Sequence, residues 1–105
     1  MTKEYWTIHE VVEILQVDEG LINDLEREEI ICPTCPKGHT SKQLSTYEME
    51  KLRLAKILIE DMDVNMPGVE VILRMRQSMI DMRKQFDDIL EDLASQIKET
   101  FGENL

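Results

Sequence analysis

Cys32-Pro33-Thr34-Cys35 and His39 give the pattern C-x2-C-x3-H, the densest grouping of chemically capable side chains in the chain. A tetrahedral zinc ion takes four ligands, and the C-x2-C spacing suits two of them. His39 offers a third, but the chain has no second cysteine pair and its other histidine, His9, is remote in sequence. A second copy of the chain, or water, would have to complete the sphere. Thioredoxin-like redox pairs share the C-x2-C spacing but open a helix in a βαβ unit, whereas Pro33 and Pro36 place this pair in a loop. The expectation is two reduced thiols, no bound metal and no cofactor. Catalysis has little support. Ser41, Ser45 and Ser78 lack a histidine and an acid in motif spacing, no glycine-rich phosphate loop is present, and the carboxylates belong to solvated helix faces rather than a pocket. A non-enzyme is expected.

The second chemically distinctive stretch is Val17–Ile31, VDEGLINDLEREEII, which sets Asp18, Glu19, Asp24, Glu26, Glu28 and Glu29 against Arg27 alone. It has the position of the second helix of a helix-turn-helix. A helix that enters a major groove gains most of its affinity from neutralising phosphates with Lys and Arg, and this one would repel them. The formal net charge of the 105 residues is −10, unevenly spread. Residues 1–31 hold nine acids and two bases, residues 32–56 two acids and five bases (Lys37, Lys42, Lys51, Arg53, Lys56), and residues 57–105 eleven acids and five bases. This balance argues against nucleic acid and anionic membrane surfaces, and suits a protein partner with a basic face. No stretch reaches the ~18–20 apolar residues of a membrane span. The N-terminus lacks a secretory pattern, so a cytoplasmic protein is expected.

The elements that position these residues are legible from caps and periodicity. Thr7-Ile8-His9-Glu10 fits a capping box, followed by Ile8, Val11, Val12 and Leu15 on one helical face, with Trp6 placed to pack over the first turn. Leu15-Gln16-Val17 reads as a turn, and Asp18 as the cap of a second helix with Leu21, Ile22 and Leu25 inward. Pro33, Pro36 and Gly38 forbid a helix between Ile30 and Leu44, where Ile30-Ile31 and Gln43-Leu44 are expected to pair as the strands of a wing. Ser45-Thr46-Tyr47-Glu48 is a second capping box, opening a helix to about Asp61 with Met49, Leu52, Ala55, Leu58, Ile59 and Met62 on one side. Asp63–Pro67 breaks and restarts the chain, Pro67 suits the first position of a new helix, and Gly68 beside it gives close packing or a loosened first turn. From Pro67 to about Thr100 no Pro or Gly other than the opening Pro67-Gly68 interrupts, giving ~50 Å of possible helix. Along it Ile72, Met75, Met79, Met82, Phe86, Ile89 and Leu93 form a heptad seam. Homodimerisation through that seam is expected, an intramolecular fold-back being the rival. The fold class is thus mainly α: a winged helix-turn-helix domain over 1–64 and a long dimerisation helix over 65–105.

This order of elements resembles the MerR-type winged helix-turn-helix proteins and, within them, the chaperone-modulator (CbpM-like) branch. Two stretches carry the resemblance. Asp63-Val64-Asn65-Met66-Pro67-Gly68-Val69-Glu70-Val71-Ile72-Leu73 carries that branch's [DN]-x-P-G-[VI]-x-[VI]-x-L pattern at the start of the long helix, and the acidic second helix running into Ile30-Ile31-Cys32-Pro33 resembles its approach to the wing. The heat-shock repressor branch shares the Pro-Gly pattern. MerR-type DNA binders, however, usually carry an Arg and aromatics where Asn23-Asp24-Leu25 stand, and an Arg-aromatic pair where Gln43-Leu44 stand. The resemblance implies a regulator that binds the J-domain of a DnaJ- or CbpA-type co-chaperone and keeps it from stimulating a DnaK-type chaperone. Asp18, Glu19, Asp24, Glu28 and Glu29 are the expected contacts. The alternative is a MerR- or HspR-like DNA-binding transcriptional regulator.

Overall fold

The computed structural model describes residues 3–35 and 37–102. Its elements follow in the order β1 (Tyr5–Thr7), α1 (Ile8–Leu15), α2 (Glu19–Arg27), β2 (Gln43–Ser45), α3 (Thr46–Lys56) and α4 (Met66–Phe101), with a π-helical turn, Ile57–Asp61, continuing α3. This is the mainly helical architecture expected, a helix-turn-helix with a small sheet followed by a long C-terminal helix. One compact unit ends at Glu70 and a second begins at Val71.

The Thr7 capping box is formed in both directions. The Glu10 amide donates to Thr7 Oγ1 at 3.1 Å, and the Thr7 amide donates to Glu10 Oε1 at 3.0 Å. Val11 is fully buried, and α1 stops where Gln16 takes a left-handed conformation (φ 54°). Asp18 occupies the N-cap of α2, but its carboxylate accepts no capping bond. The work falls to its carbonyl, which accepts from the Leu21 and Ile22 amides at 3.1 and 3.4 Å. Ile22 and Leu25 face the core as their phase requires.

α2 ends in a Schellman motif. The Ile30 amide donates to the Leu25 carbonyl at 2.9 Å and the Glu29 amide to the Glu26 carbonyl at 3.0 Å, with Glu29 left-handed at φ 59°. The motif turns Ile30 and Ile31 into the core, Ile31 being 1% exposed. This corrects the expected wing pairing. A strand would alternate these two side chains between faces, and both are buried. β2 pairs instead with β1, antiparallel, Trp6 opposite Leu44, and an isolated bridge joins Thr34 to Gln43. Trp6 is therefore a half-buried strand residue with the Lys3 ammonium 5.9 Å from its ring centroid.

The second capping box forms by half. Ser45 Oγ accepts from the Glu48 amide at 3.2 Å, while the Glu48 carboxylate turns to Lys51, 2.9 Å away. Two lysines of α3 tie it to the helix-turn-helix by satisfying carbonyls at or just past the ends of its helices: Lys51 Nζ donates to Ile30 at 2.9 Å and Lys56 Nζ to Leu15 at 2.8 Å. Leu52, Ala55 and Leu58 are buried on the expected face, but Met62 is 63% exposed. The π turn explains this, because its wider i→i+5 spacing carries the chain off the α-helical phase before Met62 is reached.

Asp63 is left-handed (φ 55°), and Asn65 caps α4, its Oδ1 accepting from the Gly68 amide at 2.9 Å. Helix α4 begins at Met66, so Pro67 is its second residue rather than its first. Of the two readings of Gly68 the structure shows close packing: a Cβ there would lie 2.7 Å from Val64 Cγ1. Val69, one residue on, is fully buried.

Candidate functional site

The outer face of α2 and its C-terminal turn is built by what lies beneath it. With Ile22 and Leu25 buried, a period of 3.6 residues places Glu19 and Asp24 outward, and the Schellman turn adds Glu28 and Glu29. Asp18, Glu19, Asp24, Glu28 and Glu29 are all exposed. Arg27 Nη1 approaches Asp24 Oδ1 at 3.4 Å, both side chains being largely solvated; contacts of that kind contribute little and yield readily to a competing cation.

Glu26 behaves differently, and nothing in the local sequence marks it. Its side chain is only 32% exposed, and its Oε1 accepts from Lys42 Nζ at 2.6 Å across sixteen positions of sequence. The hydrogen bond from Lys42 to Glu26, with their charge attraction, raises the lysine's pKa above its ordinary 10.5. Lys42 thus neutralises Glu26, and the five outward carboxylates keep their surplus.

The cations of the middle segment are engaged within the chain. Besides Lys42, Lys51 lies beside Glu48 and the Ile30 carbonyl. Arg53 meets Glu50 at 2.5 Å, and Lys56 holds the Leu15 carbonyl with Glu60 at 4.0 Å. The basic patch that the segment's composition suggests is thereby spread over α3 and spent mostly on structure. Lys37 lies exposed in the loop.

Cys32 and Cys35 are exposed thiols. His39, the candidate third ligand, has its Nδ1 3.3 Å from Gln43 Nε2, and His9 Nε2 lies 3.3 Å from Glu13 Oε1 on α1. Among the described residues no three His, Cys, Asp or Glu side chains gather in a group able to hold a metal ion.

Helix α4 presents the heptad seam to solvent. Ile72 is 38% exposed and Met75, Met79, Met82, Phe86, Ile89 and Leu93 between 49% and 68%. Off the seam, Ile80, Leu90, Ile97 and Phe101 are also exposed. Among the described residues no helix is long and apolar enough to cross a membrane.

A family profile described as MerR HTH family regulatory protein matches residues 6–91, from β1 through most of α4. No curated protein matches the chain. No solved structure matches it.

Proposed function

Because the chain belongs to the MerR HTH family of regulatory proteins, we propose that it is a regulator whose helix-turn-helix binds a protein rather than DNA, namely the J-domain of a DnaJ- or CbpA-type co-chaperone. The observation that carries this reading is the exposed row Asp18, Glu19, Asp24, Glu28 and Glu29, standing where a DNA-binding member would present cations. A J-domain offers a basic helix, and opposite potentials steer encounter and select partners. Covering that helix keeps the co-chaperone from stimulating its DnaK-type chaperone, so the mechanism is competition without chemistry. The exposed seam of α4 supports a homodimer, since a stripe of this length left in water is a standing drive to pair.

The test is direct binding of the full chain to the J-domain co-chaperone of its own organism. Association that tightens at low salt is expected, and reversing Asp24 and Glu28 together to Lys weakens it about tenfold or more, the equivalent of about 1.4 kcal/mol. No association at low salt, or affinity unchanged in the double reversal, overturns the reading. Within the family the rival is a DNA-binding transcriptional regulator, which would draw on the basic segment around the wing. Sub-micromolar, sequence-specific binding to duplex DNA at physiological salt would establish it instead.

A further inference from the structure

The cysteine pair is the one motif that the proposed function leaves unused, and the fold gives it a specific setting. Thr34 and Gln43 exchange both backbone hydrogen bonds, at 2.9 and 2.6 Å. In such an antiparallel pair the next residues along, Cys35 and Lys42, stand across from one another. The charge of Cys35 accordingly figures among the causes that raise the Lys42 pKa, after the larger contribution of Glu26. Cys32, three residues earlier, is also exposed. We propose that Cys32 and Cys35 form a dithiol site that exchanges with a low-molecular-weight disulfide, Cys35 attacking first beside Lys42 and Cys32 resolving.

The thiolate is the attacking species, and Cys35 is the exposed thiol of the two that stands across from an ammonium, one that Glu26 holds in place. The Cys35 thiolate forms a bond to one sulfur of the small disulfide, whose S–S bond breaks and releases one thiolate that takes a proton. The Cys32 thiolate then attacks Cys35 Sγ, expelling the second small thiolate, which is protonated in turn. Two protein thiols are oxidised to one disulfide and one external disulfide is reduced to two thiols. Cys32 precedes a proline and Thr34 sits in a β-bridge, so the segment runs extended. Three extended steps span about 10 Å, whereas a disulfide needs Cα atoms about 4.4–6.8 Å apart. Closing the ring therefore bends the chain at Thr34 and loosens its bonds to Gln43. Lys42, next to Gln43, also holds Glu26 of α2, so the change reaches the helix-turn-helix through a single side chain.

The experiment incubates the reduced full chain with oxidised glutathione and follows intact mass, free thiols and the amide resonances of Thr34 and Gln43. The expected product has lost two hydrogens, has no reactive thiol, and shows displaced or exchange-broadened Thr34 and Gln43 amides. Cys32→Ser should stop at one glutathionyl adduct on Cys35, and Lys42→Gln, with its helix content checked against the wild type, should slow the first step several-fold. A wild type that keeps both thiols, or that ends with two glutathionyl adducts and no ring, overturns the proposal. So does a Lys42→Gln rate equal to the wild type's, because Cys35 would then owe nothing to its position.

Discussion

Glu29 shows how much a single backbone angle decides. As the C′ residue of the Schellman motif it must be left-handed, a conformation that costs a residue with a Cβ about 1–2 kcal/mol. Glu29→Gly is therefore expected to stabilise the fold by about 0.5–1 kcal/mol after the extra freedom of glycine in the unfolded chain is deducted, read as a shift of the urea midpoint. Gly68 gives the opposite sign. Alanine is the better helix former by about 1 kcal/mol, but its methyl would sit 2.7 Å from Val64 Cγ1, on a β-branched side chain with little freedom to rotate. Gly68→Ala should thus destabilise by about 1–2 kcal/mol, measured by the same titration. Glu10 supplies the acid dependence. Its carboxylate is held below the ordinary 4.5 first by the hydrogen bond from Lys3 and then by the Thr7 amide. A depressed folded-state value means a contribution fully present above 4.5 and lost as pH falls through the folded value. In thermal scans between neutral and acid pH, Glu10→Gln should show a shallower loss of Tm on that acid limb than the wild type.

At the scale of the element, α4 carries the clearest unmet demand. Its exposed seam repeats at heptad spacing from Ile72 to Leu93, and methionine at Met75, Met79 and Met82 packs adaptably while specifying a partner only loosely. Phe86→Lys places a charge in the middle of the stripe and is expected to convert the proposed dimer to monomer in sedimentation at micromolar concentration. Helix content should persist through the first unit, whose core includes Val11, Ile22, Leu25, Leu44 and Leu52. The helices and their starts follow from local chemistry: the Thr7 box, the Ser45 cap and the uninterrupted run after Pro67 each act within a few residues. The strands do not. Gln43–Ser45 could pair with any nearby edge, and only the burial of both Ile30 and Ile31 leaves β1 as its partner. The π turn was equally illegible, since Ile57–Asp61 continues an ordinary helical pattern. Its effect on Met62 arises from a hydrogen-bond register that no residue type announces.

Across the whole molecule, electrostatics separates the acids that remain available from those already satisfied. The sequence presents six carboxylates along Val17–Ile31, and the fold removes one of them by setting Lys42 on Glu26. It also disperses the apparent basic patch, with Lys51 and Lys56 serving as clamps between α3 and the ends of the preceding helices. Removing Lys51 leaves a part-buried carbonyl without its donor and the buried Glu48 carboxylate without its cation, so Lys51→Met should destabilise by about 1–3 kcal/mol. It should leave the affinity of the acidic face for a basic partner unchanged, a separation that calorimetric unfolding and a binding titration on one sample can verify.

Fold class, the two helical caps, the acidic character of α2 and the seam of α4 were determined by the chain alone, because each rests on periodicity or on contacts within one turn of helix. The tertiary structure decided which strand β2 meets, which acid of α2 pairs with Lys42, and that Thr34 bridges Gln43. Those outcomes depend on which buried side chains compete for the same core, and residues far apart in sequence settle that competition only once they are packed together.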